Sequence, residues 1–355
     1  MRQIKLVALA ACSALLFVQC GDRHNQPNNY AFGDGIYIGN EGLFSGGSGS
    51  ITYAGTGVVS DDTVVQESFY QVNGRILGGV LNDLAIADDL LFAVMNVGAS
   101  LEVMDVNTME SELTVLGLSS PRYVCPQVES NRALVSDWGK NQVMVVDLET
   151  STITDSIATG VGPEGILEHG GHIYIANNGA YGNDSTVTVL DAVSLTHVAT
   201  VVVGDKPQSF AVDYRGHVWV LCQGYSDWND PTLSTAGGLM RIDGAFQVVE
   251  SIMGQDPGLD HPSRLVADAS GDMLYFLNNG YGGSPVALDV HNPSYPQSAF
   301  IQRVAYGLGY HNDHLYVLDA KDYQSPGAVY VYLEDGTIQD SMIAGIVPCD
   351  IVFTD

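Results

Sequence analysis

The sequence is poor in positive charge. Its 355 residues include 13 Lys and Arg against 41 Asp and Glu, which gives a formal net charge of −28 at pH 7. A surface of this sign repels phosphate groups, so the composition predicts a protein that binds neither nucleic acid nor anionic lipid. The same charge favours a well-solvated surface.

Cysteine is also scarce, and the five cysteines form no CxxC pair. Cys125, Cys222 and Cys349 fall on predicted strands, which favours buried free thiols, and a Cys125–Cys349 bridge is the alternative. The sequence contains no GxSxG, HExxH or phosphate-loop motif. We therefore expect no metal and no cofactor, and we expect that the chain is not an enzyme.

An apolar run from Leu6 to Val18 follows the basic residues Arg2 and Lys5. The run is too short to span a membrane and is typical of a secretory signal. Cys20 lies directly behind it, which resembles a bacterial lipoprotein signal whose cysteine becomes the lipidated N-terminus. We predict a signal peptide over residues 1–19, lipidation at Cys20 and a flexible tether over 20–34. The expected location is the cell surface or outer membrane, and simple secretion or a periplasmic location is the alternative.

The stretch from Pro163 to Gly204 contains four short apolar runs separated by Gly, Asn and Asp. β-branched residues dominate the runs, and each run is too short for a helix. The intervening residues favour turns because Gly accepts positive φ and Asx side chains bond to nearby backbone. The stretch therefore predicts an antiparallel meander of four strands, A to D.

Equivalent stretches recur along the chain at spacings of 40 to 55 residues, and they begin at Leu81, Pro121, Pro163, Pro207, Pro262, Ala305 and Pro348. This period is typical of a β-propeller blade. We predict one all-β domain over 35–355, a seven-bladed propeller of four-stranded antiparallel blades. Blade 1 is split: segments 35–42, 49–55 and 64–69 supply three strands, and the C-terminal segment 348–355 supplies the innermost one and closes the ring.

Two sets of loops emerge on the same face of a propeller, the D–A connections and the B–C loops. Together they form a rim rich in aromatic rings and placed polar groups, as a ligand site requires. The predicted ligand-binding residues are Asn82, Asp83, Arg122, Tyr123, Glu164, Gln208, Arg264 and Tyr306 on D–A connections, and Trp138, Tyr181, Tyr225, Trp228, Tyr281 and Tyr323 on B–C loops. The wider rim includes Glu41, Phe44, Lys140, Lys206 and Lys321.

Other polar patterns fit turns better than chemistry. Strand B ends on a short polar side chain in every blade, at Asn40, Asn96, Asp137, Asn177, Gln223, Asn278 and Asp319, and we interpret this series as turn formers. His169, His172, His217, His311 and His314 repeat in A–B turns. His261 and His311 are the candidates that an enzyme would use. Loops 178–185 and 225–231 offer oxygens for Ca²⁺ as an alternative.

The sequence Tyr174-Ile175-Ala176-Asn177, with Pro163 opening the blade, resembles the YVTN-type bacterial propellers over residues 35–355. The opening YIGNEGLFSGGSGSITYAG, residues 37–55, is similar to a Bacteroidota group of surface lipoprotein propellers. Some members of that group capture vitamin B12 and cap a TonB-dependent outer-membrane transporter. The resemblance implies a ligand-capture protein for cobalamin or a related corrinoid, with such a transporter as partner. A protein–protein scaffold in an outer-membrane complex and a secreted propeller lyase or lactonase are the alternatives.

Overall fold

The computed structural model describes residues 32–47, 49–55, 64–279 and 282–354. The predicted signal peptide, the lipidation site Cys20, most of the tether and the predicted ligand contact Tyr281 lie outside the described residues. Within these ranges, no helix combines the length and the apolar character that crossing a membrane requires.

The chain forms seven antiparallel sheets, which are the seven blades of a propeller. In chain order the elements are β1 (Gly35–Asn40), β2 (Ser50–Gly55), β3 (Val64–Val65), α1 (Ser68–Asn73), β4 (Leu81–Ala87), β5 (Leu90–Met95), β6 (Ser100–Asp105), β7 (Ser111–Leu116), β8 (Pro121–Gln127), β9 (Arg132–Asp137), β10 (Gln142–Asp147), β11 (Thr152–Ala158), β12 (Pro163–His169), β13 (His172–Asn177), β14 (Thr186–Asp191), β15 (His197–Val202), β16 (Pro207–Val212), β17 (Val218–Cys222), β18 (Gly238–Ile242), β19 (Val248–Met253), β20 (Ser263–Ala267), β21 (Met273–Asn278), β22 (Ser284–Asp289), β23 (Gly307–His311), β24 (His314–Asp319), β25 (Pro326–Leu333), β26 (Ile338–Ile346) and β27 (Pro348–Phe353).

The two ends of the chain close the ring, as predicted. β27 pairs antiparallel with β1, with Tyr37 opposite Val352 and Ile38 opposite Ile351. Blade 1 therefore has the strand order β27-β1-β2-β3. The pairing satisfies the inner edge of β1, which an open ring would leave free to pair with another chain.

The outer part of blade 1 differs from the prediction. The strand expected over 64–69 ends at Val65, and α1 begins at Ser68. The Ser68 hydroxyl donates to the carbonyl of Ile51 at 3.0 Å, and the side chain of Phe69 is buried in the core. The helical turn allows these consecutive residues to face inward together, whereas a strand alternates its side chains between two faces.

Blade 6 has three strands in the described residues, β20, β21 and β22, where four were predicted. The segment that follows β22 contains Pro293 and Pro296, which have no N–H to donate to a strand ladder. It still covers the edge of β22 in part, because the carbonyl of Pro285 accepts from the N–H groups of Phe300 and Ile301 at 2.8 and 3.2 Å.

The core lies between adjacent blades. At the junction of blades 4 and 5, for example, Tyr174, Val187 and Val189 pack against Val218 and Val220. Cys125, Cys222 and Cys349 are buried free thiols, as predicted, and the alternative Cys125–Cys349 bridge is absent. Because the sheets pack face to face, the innermost strands line the central channel, and they are β4, β8, β12, β16, β20, β23 and β27.

Candidate functional site at the channel mouth

The start of most innermost strands is irregular. The pairing register shifts between residues 81 and 83, 121 and 124, 163 and 166, 207 and 209, and 263 and 266. Such a bulge leaves extra residues unpaired and re-aims their side chains. The result is a cavity of about 250 Å³ at the channel mouth, lined by Glu41, Phe44, Val80, Asn82, Asn96, Arg122, Tyr123, Glu164, Gln208, Gln223, Ser263, Arg264 and Tyr306.

An ion pair forms one wall of this cavity. The Arg122 guanidinium donates from Nε and Nη2 to the two carboxylate oxygens of Glu164, at 3.0 and 2.9 Å. The Glu164 side chain is only 2% exposed, while that of Arg122 is 21% exposed. The Asn82 amide donates to the backbone carbonyl of Arg122 and links blades 2 and 3. This bidentate contact holds both side chains in one orientation.

Aromatic rings extend this wall outward. The Arg122 guanidinium lies 4.4 Å from the ring centroid of Trp138, and the Tyr181 ring meets Trp138 edge-on at 5.9 Å. Tyr181 is 99% exposed. The indole N–H of Trp138 is buried and has no hydrogen-bond partner among the described residues. These contacts give the rim an apolar surface directly beside the polar cavity.

On the other side, the Tyr306 hydroxyl donates to Glu41 Oε1 at 2.8 Å. Burial raises the pKa of Glu41, an effect that the hydrogen bond from Tyr306 and the charges of Arg264 and Arg122 oppose. The Tyr323 ring packs edge-on against Tyr306 at 5.6 Å between ring centroids. Blades 1, 6 and 7 therefore meet at this part of the mouth.

Arg264 occupies the floor of the cavity. Its Nε donates to the carbonyl of Tyr306 at 3.3 Å, and its Nη1 contacts the hydroxyl of Tyr123 at 3.4 Å. No ion pair in the described residues includes Arg264. Burial raises the pKa of Tyr123 well above its usual value, so the phenol stays protonated at neutral pH.

Asp83 and Asp350 carry two buried carboxyl groups that lie deeper in the channel than the cavity at its mouth. Asp83 accepts from the N–H of Val124 at 2.9 Å, and Asp350 accepts from the N–H of Leu84 at 2.7 Å. Burial raises the pKa of both carboxyl groups, and the charge of Asp350 raises that of Asp83 further. Past them the channel opens into a cavity of about 370 Å³ that is lined mostly by apolar side chains.

The structure brings half of the predicted ligand contacts together. Asn82, Arg122, Tyr123, Glu164, Gln208, Arg264 and Tyr306 line the cavity. Trp138, Tyr181 and Tyr323 flank it, and Asp83 lies beneath it. Tyr225 and the 93% exposed Trp228 are on the long loop of blade 5 and do not line the cavity. Ligand binding by these residues remains a prediction.

Sequence reasoning missed several lining residues. Asn96 and Gln223 end strand B, and they were interpreted as turn formers, but both line the cavity. Asp137 accepts from the N–H groups of Ser119 and Ser120, and Asn177 accepts from Gly160, so both bond to the preceding D–A connection and not to their own turn. Asp319 acts as a turn former, because it accepts from the N–H of Lys321 two residues on. Asn96 and Gln223 lie beside the bulge of strand A in their blades, and their side chains face the channel. The arrangement of the blades in a ring determines this orientation, so the sequence pattern does not show it.

Neither of the candidate catalytic histidines lines this cavity. The ring nitrogens of His261 contact the carbonyls of Gln223 and Pro257 at 2.9 and 2.8 Å. His311 stacks on Phe353 with ring centroids 4.6 Å apart. Within the described ranges, no group of three or more His, Cys, Asp or Glu residues is placed to hold a metal ion. In the proposed Ca²⁺ loop of blade 5, one oxygen of Asp227 accepts from the N–H groups of Asn229 and Asp230.

A second cavity, which the sequence analysis did not anticipate, lies beside the three-stranded blade 6. Its volume is about 440 Å³, and its walls carry polar side chains that include Asp256, Asp260, Asn278 and Gln297. Its carboxylates already accept backbone hydrogen bonds: Asp260 accepts from the N–H groups of Gln255 and Asp256 at 2.8 and 2.9 Å, and Asp256 accepts from the N–H of Gly258. The mouth of the channel is therefore the better candidate site.

Comparison with solved structures finds similar propellers. A quinonprotein alcohol dehydrogenase-like protein from Bacteroides thetaiotaomicron is 15% identical, with a TM-score of 0.68 over 92% of this chain and 79% of that chain. A "putative 6-phosphogluconolactonase" from Bacteroides uniformis is 14% identical, with a TM-score of 0.63 over 91% and 100%. Hydrazine synthase of Kuenenia stuttgartiensis is 15% identical, with a TM-score of 0.58 over 76% and 88%.

These similarities correct one prediction. The expectation that the chain is not an enzyme is wrong as an exclusion, because propellers named as enzymes have the same fold. At 14 to 15% identity the similarities show the fold alone. A comparison with curated proteins finds no sequence match. The family model described as "Domain of unknown function (DUF5074)" matches residues 34–309, and the chain belongs to that family.

Proposed function

We propose that this protein binds a small-molecule ligand across the channel mouth. The polar end of the ligand enters the cavity of about 250 Å³, and its larger part rests on the aromatic rim. One observation carries the proposal: hydrogen-bonding side chains from several blades converge on an open cavity that Trp138 and Tyr181 flank. Concave sites with a few placed polar groups beside aromatic rings are typical of ligand binding.

A corrinoid is the specific ligand that we propose, on the strength of the resemblance to surface propellers that capture vitamin B12. It is far larger than the cavity, so it would lie across the mouth and insert only a side group. The exposed rings of Phe44, Tyr181 and Trp228, which are 83, 99 and 93% exposed, support this placement because they offer apolar surface to a large planar ligand.

Titration of the purified protein with cyanocobalamin, followed by absorbance, tests the corrinoid proposal. We expect binding at micromolar concentrations and a loss of about tenfold or more in affinity for Trp138→Ala, since aromatic contacts dominate such sites. Tyr214→Ala is the matched control, because Tyr214 is an exposed ring on the A–B turn of blade 5, at the opposite face. Absence of binding at micromolar concentrations would remove the corrinoid.

We further propose that Cys20 carries a lipid anchor and that a TonB-dependent outer-membrane transporter is the partner. Both follow from the sequence of the first 55 residues. In a Bacteroidota host, radiolabelled palmitate should enter the wild-type chain and not the Cys20→Ala variant, which should leave the membrane fraction. Pull-down from membranes without added ligand tests the partner, and recovery of the wild-type chain in the soluble fraction would contradict the anchor.

A further inference from the structure

The two arginines of the cavity differ in charge compensation. Arg122 is neutralised by its bidentate contact with Glu164. Arg264 forms no ion pair within the part of the chain that the structure describes. The cavity therefore contains one guanidinium, that of Arg264, whose N–H groups donate to no carboxylate among the described residues.

Donors without acceptors cluster around this guanidinium. Among the described residues, no acceptor is in hydrogen-bonding reach of Arg264 Nη2, of the side-chain amide nitrogens of Gln208 and Gln223, or of the Ser263 hydroxyl. These atoms are exposed to solvent, because the buried side-chain atoms without a hydrogen-bond partner among the described residues are other atoms. All four residues line the cavity, which makes its floor rich in donors.

The nearby acids are already engaged. Glu41 accepts from the Tyr306 hydroxyl, and Asp83 and Asp350 accept from backbone N–H groups. The Arg264 guanidinium, which forms no ion pair among the described residues, suits a ligand group with a single negative charge. A phosphate dianion would bring a second charge close to Glu41 and Glu164 at a repulsive cost.

We infer that the cavity binds the carboxylate group of its ligand, held by the Arg264 guanidinium and by the amide N–H groups of Gln208 and Gln223. The planar guanidinium matches a carboxylate with two parallel hydrogen bonds. This inference rests on the proposed binding of a small molecule at the channel mouth and not on the choice of cyanocobalamin, whose corrin side chains end in amides. Among corrinoids it favours those with a free carboxylate side chain. The cavity of about 250 Å³ has room for a carboxylate and a short stem.

The test uses a matched pair of probes, 3-phenylpropionate and its neutral amide 3-phenylpropionamide, with inorganic phosphate as a third probe. Binding to the full chain is measured by NMR titration. We expect the carboxylate to bind about tenfold or more tightly than either the amide or phosphate. Arg264→Gln should reduce carboxylate binding to the level of the amide, and Arg264→Lys should give an intermediate affinity because it keeps the charge without the fork.

Arg215→Gln is the matched control. It removes the same charge from an exposed A–B turn at the opposite face, where Arg215 contacts Tyr214, and carboxylate binding should not change. Should Arg264→Gln fail to fold, the comparison of carboxylate with amide on the wild-type chain still decides the question.

Three results would overturn the inference: equal binding of carboxylate and amide, tighter binding of phosphate, or unchanged binding by a folded Arg264→Gln. Absence of carboxylate binding while cyanocobalamin binds also overturns it and leaves the proposed function intact. If neither probe class binds the wild-type chain, the proposed function fails as well.

Discussion

The Arg122–Glu164 pair joins a nearly sealed carboxylate to a partly exposed guanidinium. The two partners are therefore not equivalent. Loss of Arg122 leaves a charge buried without compensation, whereas loss of the Glu164 charge leaves a guanidinium that still reaches solvent and still lies over Trp138.

The first prediction compares these two losses. Arg122→Gln should destabilise the fold by about 3 to 5 kcal/mol, because breaking a buried pair strands the remaining charge. Glu164→Gln should cost about 1 to 3 kcal/mol, the range for hydrogen bonds to a charged group. Urea unfolding of both variants at pH 8 measures the two free energies, and equal losses or the reverse order would contradict this account.

The second prediction concerns pH and the carboxyl pair Asp83 and Asp350. Because burial raises the pKa of both groups, the native state holds protons that the unfolded chain has released. The stability that these groups contribute is thus complete below the unfolded pKa, near 4, and is lost as pH rises through the raised native pKa. Asp350→Asn removes the part of this dependence that Asp350 contributes and keeps an acceptor for the Leu84 N–H.

Melting temperatures at pH 4.5, 6 and 8 check the sign. The stability of Asp350→Asn relative to the wild type should increase with pH across this range. Asp88→Asn, at an exposed A–B turn, is the control and should show a constant difference. A relative stability of Asp350→Asn that stays constant or falls as the pH rises would mean that burial does not raise the pKa of this carboxyl pair.

At the scale of elements, the A–B turn of blade 5 depends on one acid. Asp213 accepts from the N–H groups of Arg215 and His217 through one oxygen, and from the indole N–H of Trp219 through the other. Trp219 is fully buried in the core between blades 5 and 6. The side chain therefore fixes the turn and satisfies a buried donor at the same time.

The third prediction follows from that double role. Asp213→Ala should destabilise the protein by about 3 kcal/mol or more, because it leaves the Trp219 N–H unpaired and removes the carboxylate 3.7 Å from Arg241. Asp191→Ala is the matched control, since Asp191 caps an exposed turn of blade 4 through Val193 and Ser194 and should have a smaller effect. Chemical denaturation measures both, and comparable losses would refute the special role of Asp213.

At the scale of the whole molecule, β27 has two tasks. It closes the ring by pairing with β1, and it supplies Asp350 and the buried Cys349 to the channel. Cys349 contacts the carbonyls of Gly39 and Leu81, which belong to blades 1 and 2. The innermost strand thus ties blade 1 to blade 2.

The fourth prediction is that truncation after Val347 opens the ring. The inner edge of β1 would lose its partner, so the shortened chain should melt at a lower temperature and associate through the free edge. Size-exclusion chromatography and thermal unfolding test both effects. Removal of Asp355 alone is the control, and a truncated chain that stays monomeric with an unchanged melting temperature would show that β27 is dispensable.

Much of this architecture follows from local patterns. The apolar runs of 163–204 predict β12 to β15, and the recurring anchors predict seven blades and their closure by the last strand. The departures occur where one contact overrides the pattern. In blade 1, the outer segment forms α1 in place of the end of the predicted strand, and the Phe69 side chain is buried in the core. In blade 6, the prolines after β22 disfavour a fourth strand.

The sequence by itself determined the fold, the ring order and the rim on which polar and aromatic side chains gather, because strand period and turn chemistry act over a few residues. The tertiary structure alone decided which of those side chains meet. Arg122 forms an ion pair with Glu164 on the next blade, 42 positions along the chain, whereas Arg264 forms no ion pair with any residue that the structure describes. Such pairings depend on bulges and distances across the channel, which are set by the packing of blades and not by neighbours in sequence.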